Sequence, residues 1–161
     1  MTAAMQRPDI VSQSFGSPQD PPILLIMGAM ASMLWWPEAF CRQLAGRGRF
    51  VIRYDNRDTG LSTKYPLGAP TYTFEDMVDD AIRMLDDHGV AKAHVVGMSM
   101  GGMLAQSVAL KYPERVGALT VLSCSPLGVD TSGLPGTTEA YKEHSAEGGD
   151  VDWSNRGQVL D

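Results

Sequence analysis

The sequence is poor in cysteine and in positive charge. Its two cysteines, Cys41 and Cys124, are too few and too far apart for a disulfide framework, so a cytoplasmic location is expected. Buried free thiols are expected rather than a metal pair. The 13 lysines and arginines against 19 aspartates and glutamates give a net charge of −6. This balance predicts a small neutral or cationic ligand rather than nucleic acid or an anionic membrane.

Long apolar runs and phosphate-binding motifs are also missing. The stretch ILLIMGAMASMLWW is interrupted by Gly28 and Ser32 and is shorter than the ~20 residues that span a bilayer, so no transmembrane helix is expected. The start MTAAMQRPDIVSQ is too polar for a signal peptide. Because neither G-x-G-x-x-G nor G-K-[ST] occurs, a dinucleotide site and a P-loop are disfavoured.

Short apolar segments alternate with longer helical patterns, which predicts an α/β fold with a mainly parallel sheet and helices on both faces. Strands are predicted at residues 10–15, 22–27, 50–54, 94–98 and 118–123. Helices are predicted within 36–48, within 73–89, and from the residues after Met98 up to Pro113. Thr73 and Asp76 form the expected cap of the second helix, whose acidic face we predict to be solvated.

The segment GMSMGG at residues 97–102 places a serine between glycines where a predicted strand turns into a helix. Gly97 to Gly101 fit G-x-S-x-G, the motif of a nucleophile elbow. The sharp turn strains the serine backbone and brings the residues two before and two after it together, so Gly97 and Gly101 are steric requirements. Ser99 is therefore the candidate catalytic nucleophile; the alternative is a serine that only caps the helix.

A serine that attacks a carbonyl needs two amide donors for the oxyanion that forms. Met100, directly after the serine, is one candidate donor, and Ala29, in the loop after the strand ILLIM, is the other. Gly28 lets the chain leave that strand tightly. An ordinary glycine turn is the alternative interpretation of this loop.

Three segments together resemble the α/β-hydrolase superfamily, and within it the aclacinomycin methylesterase type: LLIMGAMASMLWWPEAFCRQLAGRG, FVIRYDNRDTGLST and AHVVGMSMGGMLAQSVALKYPERV. The resemblance implies an incomplete hydrolase core at residues 1–124 and the beginning of a helical lid at 125–161. It implies carboxylic ester hydrolysis, with no cofactor or metal expected. It also implies a structural role for the D-x-R-D-x-G-x-S loop, in which Asp55 and Arg57 form a loop-fixing pair. Met27-Gly28 departs from the His-Gly of many relatives.

The resemblance implies an acid and a histidine that follow the serine, but none of the three histidines matches the family's histidine motif. His94 begins the strand that ends at Ser99, about 16 Å away at about 3.3 Å per residue. His88 ends the acidic helix at the same distant edge, where a cation would favour the helix dipole. His144 lies in the predicted lid and could approach the cleft. The acid and the histidine are therefore expected beyond Asp161, which makes the chain the N-terminal portion of a hydrolase.

Methionines and tryptophans cluster around both candidate amide donors and suit an adaptable apolar pocket. Met30, Trp35 and Met98 are the candidate pocket residues, which predicts an apolar ester of small or moderate size as substrate. The alternative is that these side chains fill the core.

Three functions remain open from the sequence. The first is a serine ester hydrolase. The second is a catalytically inactive, truncated hydrolase fold that binds a partner at its exposed sheet edge, such as a complementing C-terminal chain or a second copy. The third is cofactor-free haloperoxidase or C–C bond hydrolase chemistry on the same fold.

Overall fold

The computed structural model describes residues 7–66, 68–130 and 132–147. The five strands are β1 (Ser12–Phe15), β2 (Pro22–Ile26), β3 (Phe50–Tyr54), β4 (Ala93–Met98) and β5 (Val116–Leu122). The helices are α1 (Glu38–Ala45), α2 (Phe74–Asp87), α3 (Met100–Lys111) and α4 (Glu139–Glu147), with 3-10 turns at Met33–Trp35 and Pro113–Arg115. All five predicted strands are confirmed, and their ends differ from the prediction by no more than two residues.

The strands form one sheet in the order β1-β3-β2-β4-β5. The neighbours from β3 to β5 are parallel, and β1 pairs antiparallel to β3. Parallel pairing brings the carboxyl ends of β2, β3, β4 and β5 to the same edge of the sheet, which is where open α/β sheets bind ligands. The predicted mainly parallel sheet is confirmed.

Helices cover both faces of the sheet because apolar side chains of β2 alternate between them. Leu24 and Ile26 pack into a core with residues of α2 and α3. Ile23 and Leu25 point the other way and pack with Cys41 of α1. This two-sided burial is typical of a parallel sheet and confirms the predicted α/β class.

The second predicted helix, α2, begins with the expected capping box. The Thr73 side chain accepts a hydrogen bond from the N–H of Asp76, and the Asp76 side chain accepts one from the N–H of Thr73. The chain leaves the helix at Gly89, which has a φ of +68° that favours glycine. The prediction of a fully solvated acidic face is wrong at Asp80, which is buried.

The chain divides into two compact units between Val129 and Asp130. Within the second unit, α4 is one of the short helices predicted for the tail. The last residues of the predicted tail, 148–161, lie outside the described residues. A membrane-spanning helix is not found among the described residues.

Candidate active site

Ser99 occupies the turn between β4 and α3 and has a backbone conformation that is strained for any residue with a side chain. Its φ is 52° and its ψ is −123°, a region where L-residues are rare. Its N–H donates to the carbonyl of Leu122 at 2.9 Å, and its own carbonyl accepts from the N–H groups of Gly102 and Met103. The side chain is exposed, so the turn presents an alcohol at the carboxyl edge of the sheet.

The two glycines of the motif meet across this turn. A Cβ atom on Gly97 would lie 2.0 Å from the carbonyl oxygen of Gly101. A Cβ atom on Gly101 would lie 2.3 Å from the carbonyl oxygen of Ile26 on the neighbouring strand. Backbone atoms cannot rotate away as a side chain can, so the backbone path around Ser99 requires glycine at both positions.

The loop after β2 passes directly beside Ser99. A Cβ atom on Gly28 would lie 3.3 Å from the Cβ of Ser99 and 3.7 Å from its Oγ. Among the hydrogen bonds of the described residues, the N–H groups of Ala29 and Met100 have no acceptor. Met100 is the first residue of α3, so its N–H belongs to the positive end of the helix dipole. An N–H without an acceptor at a helix N-terminus can donate a hydrogen bond to an anionic oxygen.

Asp55 holds the far end of this loop. Its carboxylate accepts hydrogen bonds from the N–H of Met33 at 2.7 Å and from the N–H of Leu61 at 2.9 Å. A Cβ atom on Gly60 would overlap the same carboxylate, at 1.8 Å from Oδ2. Asp55 therefore holds the loop at Met33 and the loop at Leu61 against the end of β3 by hydrogen bonds. It does not form the predicted pair with Arg57.

Arg57 pairs with Asp80 of α2 instead, which corrects the predicted pair. Its Nε lies 2.6 Å from Oδ2 and its Nη2 lies 3.1 Å from Oδ1 of that carboxylate. Both side chains are more than nine-tenths buried. Burial lowers the pKa of Arg57, but the hydrogen bonds and charge of Asp80 outweigh it and raise the pKa overall. The sequence missed this partner because 23 residues separate the two side chains.

A cavity of about 400 Å³ opens beside Ser99, within the size range of small-molecule sites. It is lined by Ser99, Met100, Met103, Ser123, Cys124, Ser125, Pro126, Leu127 and Gly128. The residues from Ser123 onward were missed in the sequence analysis. Their position directly after a predicted parallel strand, β5, could have identified them, because the end of β5 lies at the same edge of the sheet as the Ser99 turn.

The three candidate pocket residues lie in different surroundings. Met30, with a φ of 57°, is 97% exposed and lines a second cavity of about 320 Å³ together with Ala29 and Met100. Trp35 is exposed on the 3-10 turn. Met98 is half-buried and packs against the core on the α1 side of the sheet. Of the other clustered residues, Met27, Met33 and Trp36 are buried in the core.

The two histidines whose side chains are described lie at the opposite edge of the sheet from Ser99. His88 contacts the hydroxyl of Ser12 at 3.0 Å, and burial lowers its pKa more than the Asp87 charge raises it. Burial therefore disfavours the charged imidazole, which the helix dipole alone would favour. His94 bonds the hydroxyl of Thr120 at 2.8 Å. Over the described residues, no group of three His, Cys, Asp or Glu side chains could hold a metal ion.

Comparisons with known proteins agree with this architecture. The pattern of the alpha/beta hydrolase fold matches residues 21–141. Rhodomycin D methylesterase DauP of Streptomyces sp. (strain C5) is 46% identical over 119 residues, which are 74% of this chain and 40% of the relative. Rhodomycin D methylesterase DnrP of Streptomyces peucetius is 44% identical with the same coverage. A hydrolase from Pseudomonas aeruginosa PA01 superposes with a TM-score of 0.68 at 26% identity, over 93% of this chain and 52% of that one. The chain thus spans about 40% of the length of the curated relatives that it matches.

Proposed function

Because this chain belongs to the alpha/beta hydrolase fold family, we propose that it hydrolyses a carboxylic ester with Ser99 as the nucleophile. The observation that carries the proposal is the strained backbone of Ser99, with its exposed hydroxyl beside the Gly28 loop. Strain of this kind is kept where it serves a function, since it costs about 1–3 kcal/mol. A serine that only capped α3 would accept a hydrogen bond from the helix, and the Ser99 side chain accepts none.

In the proposed reaction, the Ser99 oxygen bonds to the ester carbonyl carbon while a histidine takes the hydroxyl proton. The carbonyl oxygen becomes an oxyanion that accepts hydrogen bonds from the N–H groups of Ala29 and Met100. The oxyanion then reforms the carbonyl, and the alcohol leaves with the proton from the histidine. Water hydrolyses the acyl-serine by the same steps and releases the carboxylic acid.

We propose that the histidine and its orienting acid are not supplied by residues 7–130. His88 and His94 are engaged with Ser12 and Thr120 at the opposite edge of the sheet. Five residues of β4 separate His94 from Ser99, which is about 16 Å at about 3.3 Å per residue. Proton transfer needs direct contact or one bridging water, so neither side chain can serve.

The proposed substrate is an ester of an apolar molecule, and a methyl ester is the first choice. The cavity beside Ser99 offers the side chains of Met103, Cys124, Pro126 and Leu127, which favour an apolar ligand. Two relatives above 40% identity are named as methylesterases. A small alcohol leaving group leaves the cavity free for the larger acyl part.

The nucleophile can be tested by labelling the full-length gene product with a fluorophosphonate. We expect one phosphonyl group on Ser99, hydrolysis of apolar methyl esters, and loss of both in Ser99→Ala. Ser107→Ala is the matched control, because Ser107 lies in the same helix and away from the cavity. Labelling that persists unchanged in Ser99→Ala would exclude Ser99 as the nucleophile.

The origin of the base can be tested with the 161-residue chain itself. Without a histidine near Ser99, acylation by an activated ester should be slow and should rise with added imidazole, which can take the proton. A site that lacks one triad member can still retain about 10³- to 10⁴-fold acceleration over water. Rapid acylation without imidazole would instead indicate a base within the chain, and His144 would be the candidate for that base.

A second candidate function is partner binding at β5. In the part of the chain that the structure describes, β5 pairs with β4 along one edge only, and Leu119 and Leu122 are exposed on it. Such an edge can pair with a further strand from a complementing chain or a second copy. Sedimentation of the 161-residue chain should show self-association that increases with concentration. A monomer at all concentrations that also turns over ester through Ser99 would argue against this role.

A further inference from the structure

We infer that Asn56 is a positioning residue that aims the Ala29 N–H of the proposed oxyanion hole. The inference rests on the proposed function and goes beyond it, because Asn56 was not among the candidate site residues. Asn56 directly follows Asp55 at the end of β3, and only 2% of it is exposed. Its Nδ2 donates a hydrogen bond to the carbonyl oxygen of Met27 at 3.2 Å.

Asn56 and Asp55 together hold both ends of the loop beside Ser99. Asn56 donates to the carbonyl of Met27, just before Gly28, and Asp55 accepts from the N–H of Met33, just after Ser32. Residues 28–32 are the segment between the two anchors. Two neighbouring side chains on one strand end therefore fix the entry and the exit of the loop that carries Ala29.

The anchor at Met27 matters because the next residue is glycine. Gly28 allows many backbone conformations. A free peptide between Met27 and Gly28 could therefore rotate and change the path of the chain through Gly28, which would shift the next peptide with its Ala29 N–H. The Met27 carbonyl oxygen accepts the hydrogen bond from Asn56 and lies close to Gly101, where an added Cβ would be 2.7 Å from it. These two contacts select one orientation of the peptide.

The other side-chain atom of Asn56 shows that packing alone does not explain the residue. Its Oδ1 is buried and has no hydrogen-bond partner among the described residues. A buried polar atom without a partner destabilises the folded chain, so a leucine of similar size would fill this space at lower cost. Rotating the amide by half a turn would bring two oxygens together at Met27. The NH₂ group is thus the part of Asn56 that the site needs.

The test compares Asn56→Leu and Ser62→Ala with the wild-type full-length gene product, using an apolar p-nitrophenyl ester. Ser62 is the matched control because it is equally buried in the same loop and donates to the carbonyl of Asp55 without touching the Met27 carbonyl. Losing one oxyanion donor costs about 10²- to 10³-fold in kcat. A misaimed donor should cost about 10- to 100-fold in kcat with KM changed by less than about twofold, whereas Ser62→Ala should lower thermal stability and keep kcat.

Asn56→Asp adds a readout that a structural role alone would not produce. The ionised carboxylate repels the Met27 carbonyl, while the protonated carboxyl can donate to it as the amide does. Burial raises the pKa of such a carboxyl. The ratio of the kcat of Asn56→Asp to that of the wild type should therefore rise as the pH falls from about 8 to about 5, and the ratio for Asn56→Leu should stay constant.

The outcomes separate the two proposals. Equal kcat in wild type and Asn56→Leu, or an equal loss in Ser62→Ala, would overturn the role of Asn56 and leave Ser99 as the nucleophile. A wild-type protein whose turnover is unaffected by Ser99→Ala would overturn the proposed function and the positioning role together. A selective loss of kcat in Asn56→Leu with pH-dependent recovery in Asn56→Asp would support the inference.

Discussion

Replacing Gly97 by alanine perturbs the Ser99 turn by a single methyl group. The added Cβ would lie 2.0 Å from the carbonyl oxygen of Gly101, 2.4 Å from its carbonyl carbon and 2.7 Å from the nitrogen of Gly102. Real Cβ atoms essentially never lie closer than 3.0 Å to such atoms. The start of α3 must therefore move by about 1 Å relative to β4, and every atom in the way belongs to the backbone.

The magnitude follows from the rigidity of those atoms. Overpacking a well-packed site costs about 1–3 kcal/mol when side chains can adjust. Because no side chain can adjust here, we expect a loss of about 3 kcal/mol in the free energy of unfolding. For a chain of this length, each kcal/mol corresponds to about 2–4 °C in Tm. Gly97→Ala should thus lower Tm by about 6–12 °C. A 1 Å displacement of Ser99 can also cost about 100-fold in its reactivity.

The measurement is thermal unfolding followed by circular dichroism, with Gly117→Ala in the neighbouring strand as the matched control. At Gly117 the nearest atom to an added Cβ is 3.6 Å away, which is an ordinary contact. Alanine in a strand is favoured over glycine by about 0.5–1 kcal/mol, so the control should melt at or slightly above the wild-type temperature. If the two variants melt at the same temperature, the steric requirement at Gly97 is refuted.

Three further predictions concern other parts of the chain. Asp80→Asn breaks a buried ion pair and should lower the free energy of unfolding in urea by about 3–5 kcal/mol. The control Asp79→Asn removes a half-exposed carboxylate that pairs with an exposed lysine, and it should cost less than about 1 kcal/mol. Similar losses in the two variants would contradict the burial of the first pair. Burial lowers the pKa of His88 in the folded chain, so the stability that the neutral His88 contributes should be fully present above about pH 6.5 and decrease as the pH falls through the lower folded pKa. His88→Gln should flatten that decrease. An unchanged slope would refute the assignment of the decrease to His88. Burial raises the pKa of the Cys41 thiol, and Cys124 is only half-buried. A disulfide reagent should therefore modify Cys124 first and reach Cys41 only on unfolding. Equal rates of modification at the two thiols would contradict this prediction.

The sequence by itself determined the elements whose signals are local. The strand Phe50–Tyr54 has the predicted bounds because a short apolar run is enough to identify it. The helix α2 begins at its predicted cap because Thr73 and Asp76 are three residues apart and bond each other. The glycine spacing around Ser99 also carries a local requirement, since the clash at Gly97 arises within five residues of chain.

Only the tertiary structure decided which distant residues meet. Arg57 reaches Asp80 rather than Asp55, and Asn56 reaches the Met27 carbonyl across 29 positions of sequence. The sheet order determines these contacts by bringing the ends of β2, β3, β4 and β5 to one edge, and no local pattern encodes that order. The same holds for the cavity, whose wall after β5 lies beside Ser99 because β5 pairs with β4. Local spacing governs backbone geometry within a turn, whereas side-chain partners follow from packing between elements that are far apart in the chain.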